Sequence, residues 1–120
     1  MLKKNKSFSI IFFLQKDLKS KKHLITTMTI ETTILDFQLN NTFEQYESYM
    51  NAKEQQSMFK EMGVKTFYIG KSLDNPQRAT VIFQGPQNVL YDIFMNPETK
   101  PIVEASGHIY EGTKITRWIS

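Results

Sequence analysis

The 120-residue chain contains no cysteine. Disulfides, thiolate nucleophiles, zinc–thiolate sites and iron–sulfur clusters are excluded together, and a reducing cytoplasm is the expected setting. Histidine is nearly as scarce: His23 and His108 stand too far apart for an H-x-x-x-H spacing, so no metal site is expected. The five glycines, at 63, 70, 85, 107 and 112, are isolated from one another, which removes a phosphate-cradling loop. Long apolar runs are missing too. The longest, FSIIFFL at 8–14, has seven residues, against the ~20 that a spanning helix needs. No catalytic motif selects a reaction, and none calls for a cofactor.

A net positive charge is missing from most of the chain. Residues 1–27 hold seven lysines (3, 4, 6, 16, 19, 21 and 22) against Asp17, a net of +6. Residues 28–120 hold six lysines and two arginines against eleven acids, a net of −3. The basic pI of about 9.1 therefore belongs to the first segment, and the body is mildly acidic. A secretory signal needs a small-x-small cleavage site after its apolar stretch, whereas QKDLKSKK after Leu14 restores positive charge. Two functional alternatives exist for this segment: a surface anchor burying Phe8, Ile11, Phe12 and Leu14, or a basic arm on nucleic-acid phosphates. Met28 stands directly before a well-patterned strand. The expectation is that residues 1–27 are a basic N-terminal extension, disordered or a start-site artefact, and that 28–120 is the domain. Membrane contact is not expected.

What is present is apolar material at regular spacing: 40% hydrophobic residues, including nine Phe and five Tyr, enough for one domain with a real core. From Ile30 to Leu39 the period is two, with Leu35, Phe37 and Leu39 on one face and Ile30, Thr32, Ile34, Asp36 and Gln38 on the other, which predicts a half-buried strand. Thr42 and Gln45 predict a capping box. Phe43, Tyr46, Tyr49, Met50, Met58, Phe59 and Met62 then predict one helix over 42–62, stopped by Gly63. VKTFYIGKSL and RATVIFQ, joined by DNPQ, predict an antiparallel hairpin. Pro86 fits the first turn of a second helix to about Met95, and a further helical piece from Pro97 to Ser106 ends at Gly107. HIYEGTKITRWIS closes the chain as a last strand. The order βαββαβ is the split unit of the ferredoxin-like fold. It implies an α+β domain with a four-stranded antiparallel sheet in the order 4-1-3-2 and both helices on one face.

Strand parity assigns the two sides. Leu35, Phe37, Leu39, Phe67, Ile69, Ala79, Val81 and Phe83 should meet the helices. The open side would carry Ile34, Asp36, Thr66, Tyr68, Thr80, Ile82, His108, Tyr110, Lys114 and Trp118. Such an apolar patch marks an interface or a ligand site, and two-fold pairing of the open faces would bury it in a homodimer.

The stretches FYIGKSLDNPQRATVIFQG and SGHIYEGTKITRWIS resemble a small, mainly cyanobacterial family catalogued only as a domain of unknown function. That family looks like a member of the dimeric α/β-barrel superfamily, whose relatives include cofactor-free monooxygenases, muconolactone isomerases, haem-using enzymes and stress-induced proteins. The resemblance covers residues 28–120 and implies a dimeric α/β barrel without naming a reaction.

Three residues are candidates for chemistry. His108 alone in the body titrates near neutral pH, and is either a general base or haem ligand at a pocket mouth, or a cap on the preceding helix end. Tyr68 either orients a substrate oxygen in a pocket or packs a dimer interface. Asp36 is either exposed, paired with Lys114, or a buried base with a raised pKa. Tyr110, Trp118, Ile34 and Ile82 are the ligand-pocket candidates, the aromatic ones suited to a planar molecule and equally to packing an interface. An RNA-recognition domain shares the element order, but RATVIFQ and ETTILDF lack its basic aromatic pattern, so nucleic acid is not expected. Two functions follow. One is a cytoplasmic homodimer whose pocket binds or transforms a small, mostly apolar molecule, in the manner of a monooxygenase or isomerase. The other is a non-catalytic, stress-related or structural interaction module. A cavity reaching His108 or Tyr68 favours the first, and a filled interior the second.

Overall fold

Strand β1, Ile30–Gln38, alternates between buried and half-exposed residues along its length, and its buried set includes Thr33, Leu35 and Phe37. The molecule is a computed structural model describing residues 29–120, so the expectations for residues 1–27 lie outside the described residues. Thr42 then caps helix α1, Phe43–Asn51, through the full capping box: its hydroxyl accepts from Gln45 N at 3.1 Å, and Gln45 Oε1 accepts from Thr42 N at 3.1 Å.

The predicted single helix over 42–62 is two. Ala52, at φ −60° and ψ 142°, breaks it, and helix α2 runs over Lys53–Glu61. The physical reason is a mismatch of faces. Met50 and Phe59 are both buried, yet nine residues at 100° each would put them on opposite sides of one continuous helix. Breaking the axis lets both reach the sheet. Gln56 Nε2 covers the exposed end of α1 by donating to Met50 O at 2.6 Å. Gly63, at φ 75°, stops α2 as expected, with Val64 N reaching back to Phe59 O at 2.8 Å.

Strands β2, Lys65–Lys71, and β3, Arg78–Pro86, form the hairpin. A bulge between Thr66 and Tyr68 shifts the register, so Phe67 is 61% exposed instead of facing the helices. The same shift places Thr66 opposite Phe83, on the helix side. Pro86 ends β3 and does not open a helix. Asn88, at φ 73°, precedes helix α3, Val89–Met95. A 3-10 turn, Pro97–Thr99, and the short helix α4, Lys100–Glu104, follow, and strand β4, Lys114–Ile119, ends the fold.

All neighbouring strands are antiparallel in the order β2-β3-β1-β4, which is the predicted 4-1-3-2. The core lies on one face of this sheet, where Phe37, Val81 and Phe83 meet Tyr46, Met50, Phe59, Ile93 and Phe94. Phe37 is fully buried, with the Tyr46 ring edge-on at 5.2 Å. The architecture is α+β and compatible with the ferredoxin-like fold. No described helix is long and apolar enough to cross a membrane.

Candidate functional site

The expected last strand is interrupted. His108 forms a lone bridge to Leu39, a turn through Gly112 at φ 79° follows, and pairing resumes only at Lys114 opposite Asp36. Leu39 belongs to the helix face, so its partner His108 does too. Parity counted through an unbroken strand fails across the turn, and His108 and Tyr110 leave the open face to which they were assigned.

His108 is 3% exposed and lies flat on Phe37, ring centroids 3.7 Å apart at 4°. Its Nε2 is 2.8 Å from Thr113 Oγ1, which itself donates to Tyr110 O at 2.7 Å. A hydroxyl that has given its proton to a carbonyl must accept from the imidazole, so His108 is the Nε2–H tautomer. Burial pushes its pKa down to about 3. The alternative of a positively charged helix cap is thereby corrected: the ring is neutral and sits in the core. Tyr110 stacks on Phe94 at 4.7 Å and donates its hydroxyl to Phe94 O at 2.6 Å, which anchors the turn to α3.

His108 lines a half-open cavity of about 90 Å³ between the sheet and the helices. Tyr46 and Met50 of α1, Phe59 of α2, and Ile93 and Phe94 of α3 form much of its wall. Burial raises the pKa of the Tyr46 phenol, which stays protonated. Thr99 and Ser106, each 4% exposed, also line it. Ser106 Oγ donates to Val103 O at 2.6 Å, whereas Thr99 Oγ1 is buried without a partner in the protein. An unpaired buried hydroxyl costs about 1–3 kcal/mol, so this position calls for an explanation. Nothing in the sequence pointed to Thr99, whose threonine in a turn carries no pattern.

The remaining candidates gather on the opposite face. Tyr68, Ile82 and Ile34 stand in register across three strands, with Thr116 next to Ile34, and Trp118 lies opposite Thr32. Tyr68 and Trp118 are 53% and 60% exposed. Tyr68 folds over Gly70, where an added Cβ would come within 2.5 Å of its ring. Asp36 faces Lys114 in register, but its carboxylate pairs with Arg78 Nε at 2.8 Å. The expected partner is therefore corrected to a diagonal neighbour on β3. The structure separates the sequence-derived set: His108 lines the cavity, and Tyr68, Asp36, Trp118, Ile34 and Ile82 lie on the other side of the sheet. Among the described residues no group of three or more His, Asp or Glu could hold a metal ion.

A charged cluster at the edge of the sheet escaped sequence reasoning. Glu31, 4% exposed, takes both Arg117 Nε and Nη2 at 2.8 Å, Thr33 Oγ1 at 2.7 Å and Asn88 N at 2.9 Å. Arg117 lies 4.0 Å over the Tyr91 ring. The Arg117 fork is the chief reason that the Glu31 pKa falls to about 2. Parity held the signal: Glu31 is in phase with Leu35 on the apolar face, where a carboxylate demands a partner.

A four-stranded sheet covered on one face, with a cavity beneath its helices and apolar side chains on the other, defines a small α+β domain. The chain belongs to the family described as Domain of unknown function (DUF3764), which it matches over residues 30–120. No curated protein matches it.

Proposed function

We propose that the chain works as a cytoplasmic homodimer of α/β-barrel type, each protomer binding a small, mostly apolar molecule in the cavity between its sheet and helices. The observation that carries this is the cavity, which reaches His108 and is walled mostly by apolar side chains. A purely structural module would fill that space, because native interiors leave few voids larger than a water. Binding fits better than transformation. A general base works best with a pKa near the operating pH, and His108, at about 3, is far below it. The haem alternative also recedes, since about 90 Å³ falls well short of the ~300–1,000 Å³ of pockets for drug-sized ligands.

The open face supports the dimer. Its two central strands have nine residues each, and at ~3.3 Å per residue and ~4.8 Å between strands, two stacked faces would remove on the order of 1,000 Å² from water. That is near the lower limit for a stable interface. Asp36 and Arg78 already neutralise each other within the protomer, which lowers the cost of covering them. Native mass spectrometry of the full chain at micromolar concentration tests both parts, with two chains and a small adduct on each as the expected result. A single-chain mass would overturn the dimer. An adduct retained by His108→Ala would overturn the site.

A further inference from the structure

Thr99 is a deeply buried polar side chain of the cavity wall for which the fold provides no hydrogen-bond partner. It is 4% exposed, it lines the cavity, and its Oγ1 makes no hydrogen bond in the protein. Two of its polar neighbours in the wall are engaged, Ser106 Oγ with Val103 O and His108 Nε2 with Thr113 Oγ1, and the Tyr46 phenol stands beside them. Valine has nearly the shape of threonine and would fill this place without burying an unpaired hydroxyl, so packing alone does not account for the residue.

No Lys, Arg, Asp or Glu lines the cavity, so an ionic ligand would shed its hydration and meet no opposite charge. Size narrows the choice further. An apolar cavity of ~150 Å³ takes benzene, so about 90 Å³ suits a shorter body, with the open side leaving room for a tail.

We propose that Thr99 Oγ1 is the polar anchor of this cavity, and that it selects a compact, uncharged ligand carrying one hydrogen-bonding oxygen, such as a small ketone or alcohol. This rests on the cavity being a ligand site. The ligand's oxygen accepts from or donates to Thr99 Oγ1, and its carbon body packs against Ile93, Phe94 and Ile102. Thr99 thus sets specificity for one polar atom in an otherwise greasy enclosure.

Three probes test this on the full chain by methyl NMR at Ile93 and Ile102. They are butan-2-one, its apolar isostere 2-methylbut-1-ene, and butanoate. Butan-2-one is expected to give saturable shifts in the millimolar range, and butanoate to bind at least about tenfold more weakly. Thr99→Val should weaken butan-2-one by about tenfold and leave 2-methylbut-1-ene unchanged, and Thr99→Ser should restore the ketone. Equal ketone affinity in wild type and Thr99→Val would overturn the anchor while leaving the cavity a binding site. No shift with any probe would overturn the cavity as a ligand site altogether.

Discussion

The His108 imidazole lies parallel to the Phe37 ring, 3.7 Å from it, and is neutral because burial carries its pKa from 6.5 to about 3. The unfolded chain takes up a proton below pH 6.5, and the folded one does not until near pH 3. The stability that this residue contributes is therefore fully present above pH 6.5 and is lost as pH falls from 6.5 towards 3. The expected slope is about 1.4 kcal/mol per pH unit in the steep part. Urea unfolding between pH 7.5 and 5 should show it. His108→Gln, which keeps a donor for Thr113, should flatten the profile, and an equally sloped profile in that variant would contradict the assignment.

Arg117 holds a carboxylate that the fold buries. Arg117→Ala should cost about 2–3 kcal/mol, less than the ~3–5 of a fully buried pair because the arginine side chain is 34% exposed. Arg117→Lys should recover only part, since an ammonium cannot copy the two-pronged contact. Glu31 has its pKa lowered from 4.5 to about 2, so the pair stabilises the fold above pH 4.5 and loses that effect as pH drops towards 2. The gap between wild type and Arg117→Ala should accordingly close in acid. Thermal unfolding at pH 7 and pH 2.5 measures it.

Trp118 is the sole tryptophan of the chain and is 60% exposed on the open face of one protomer. Pairing of two faces should bury it. Its emission should shift to the blue, and its quenching by acrylamide should fall, as protein concentration rises through the dimer's dissociation constant. Ile82→Lys, near the middle of the face, should abolish both changes and give a folded monomer by light scattering. Trp118 fluorescence independent of both concentration and this substitution would mean that another surface, or none, forms the contact.

Gly107 stands at φ 98°, directly before His108, and a Cβ there would overlap the Asn41 side chain, which donates to Ser106 O at 3.0 Å. Gly107→Ala should cost at least about 1–2 kcal/mol. It should also shift the His108 ring resonances, because the same backbone seats the imidazole. Gly112→Ala, where a Cβ meets nothing within 4 Å but φ is 79°, should carry only the backbone part of that cost. The difference in urea midpoint between the two variants isolates the Asn41 overlap.

Much of the fold was legible because local chemistry and global topology agree. The Thr42 capping box, the Gly63 stop and the period-two pattern from Ile30 to Leu39 each act within a few residues and are found as predicted. Apart from Pro86, which ends a strand where it was expected to open a helix, and the partner of Asp36, the failures come from interruptions of a period. Nothing in NAKEQQ announces the break at Ala52 except the nine-residue step from Met50 to Phe59, and the bulge at Phe67 leaves no local mark. The turn at Gly112 is the most costly of these, since it moved His108 from one side of the sheet to the other. Candidate residues were therefore found singly but not as a constellation. A cavity lined by Thr99, in a turn, and by residues of four short helices is written in tertiary structure, where spacing along the chain does not reach.

The break at Ala52 also bears on how the chamber keeps its size. Two nine-residue helices stand where one longer helix was expected, and each is shorter than the ~12–15 residues at which an isolated helix begins to persist in water. Neither is a rigid beam. They hold their form only while Tyr46, Met50 and Phe59 grip the sheet. The chamber is bounded on that side by two short helices joined at Ala52, so each of them is set against the sheet by its own buried side chains.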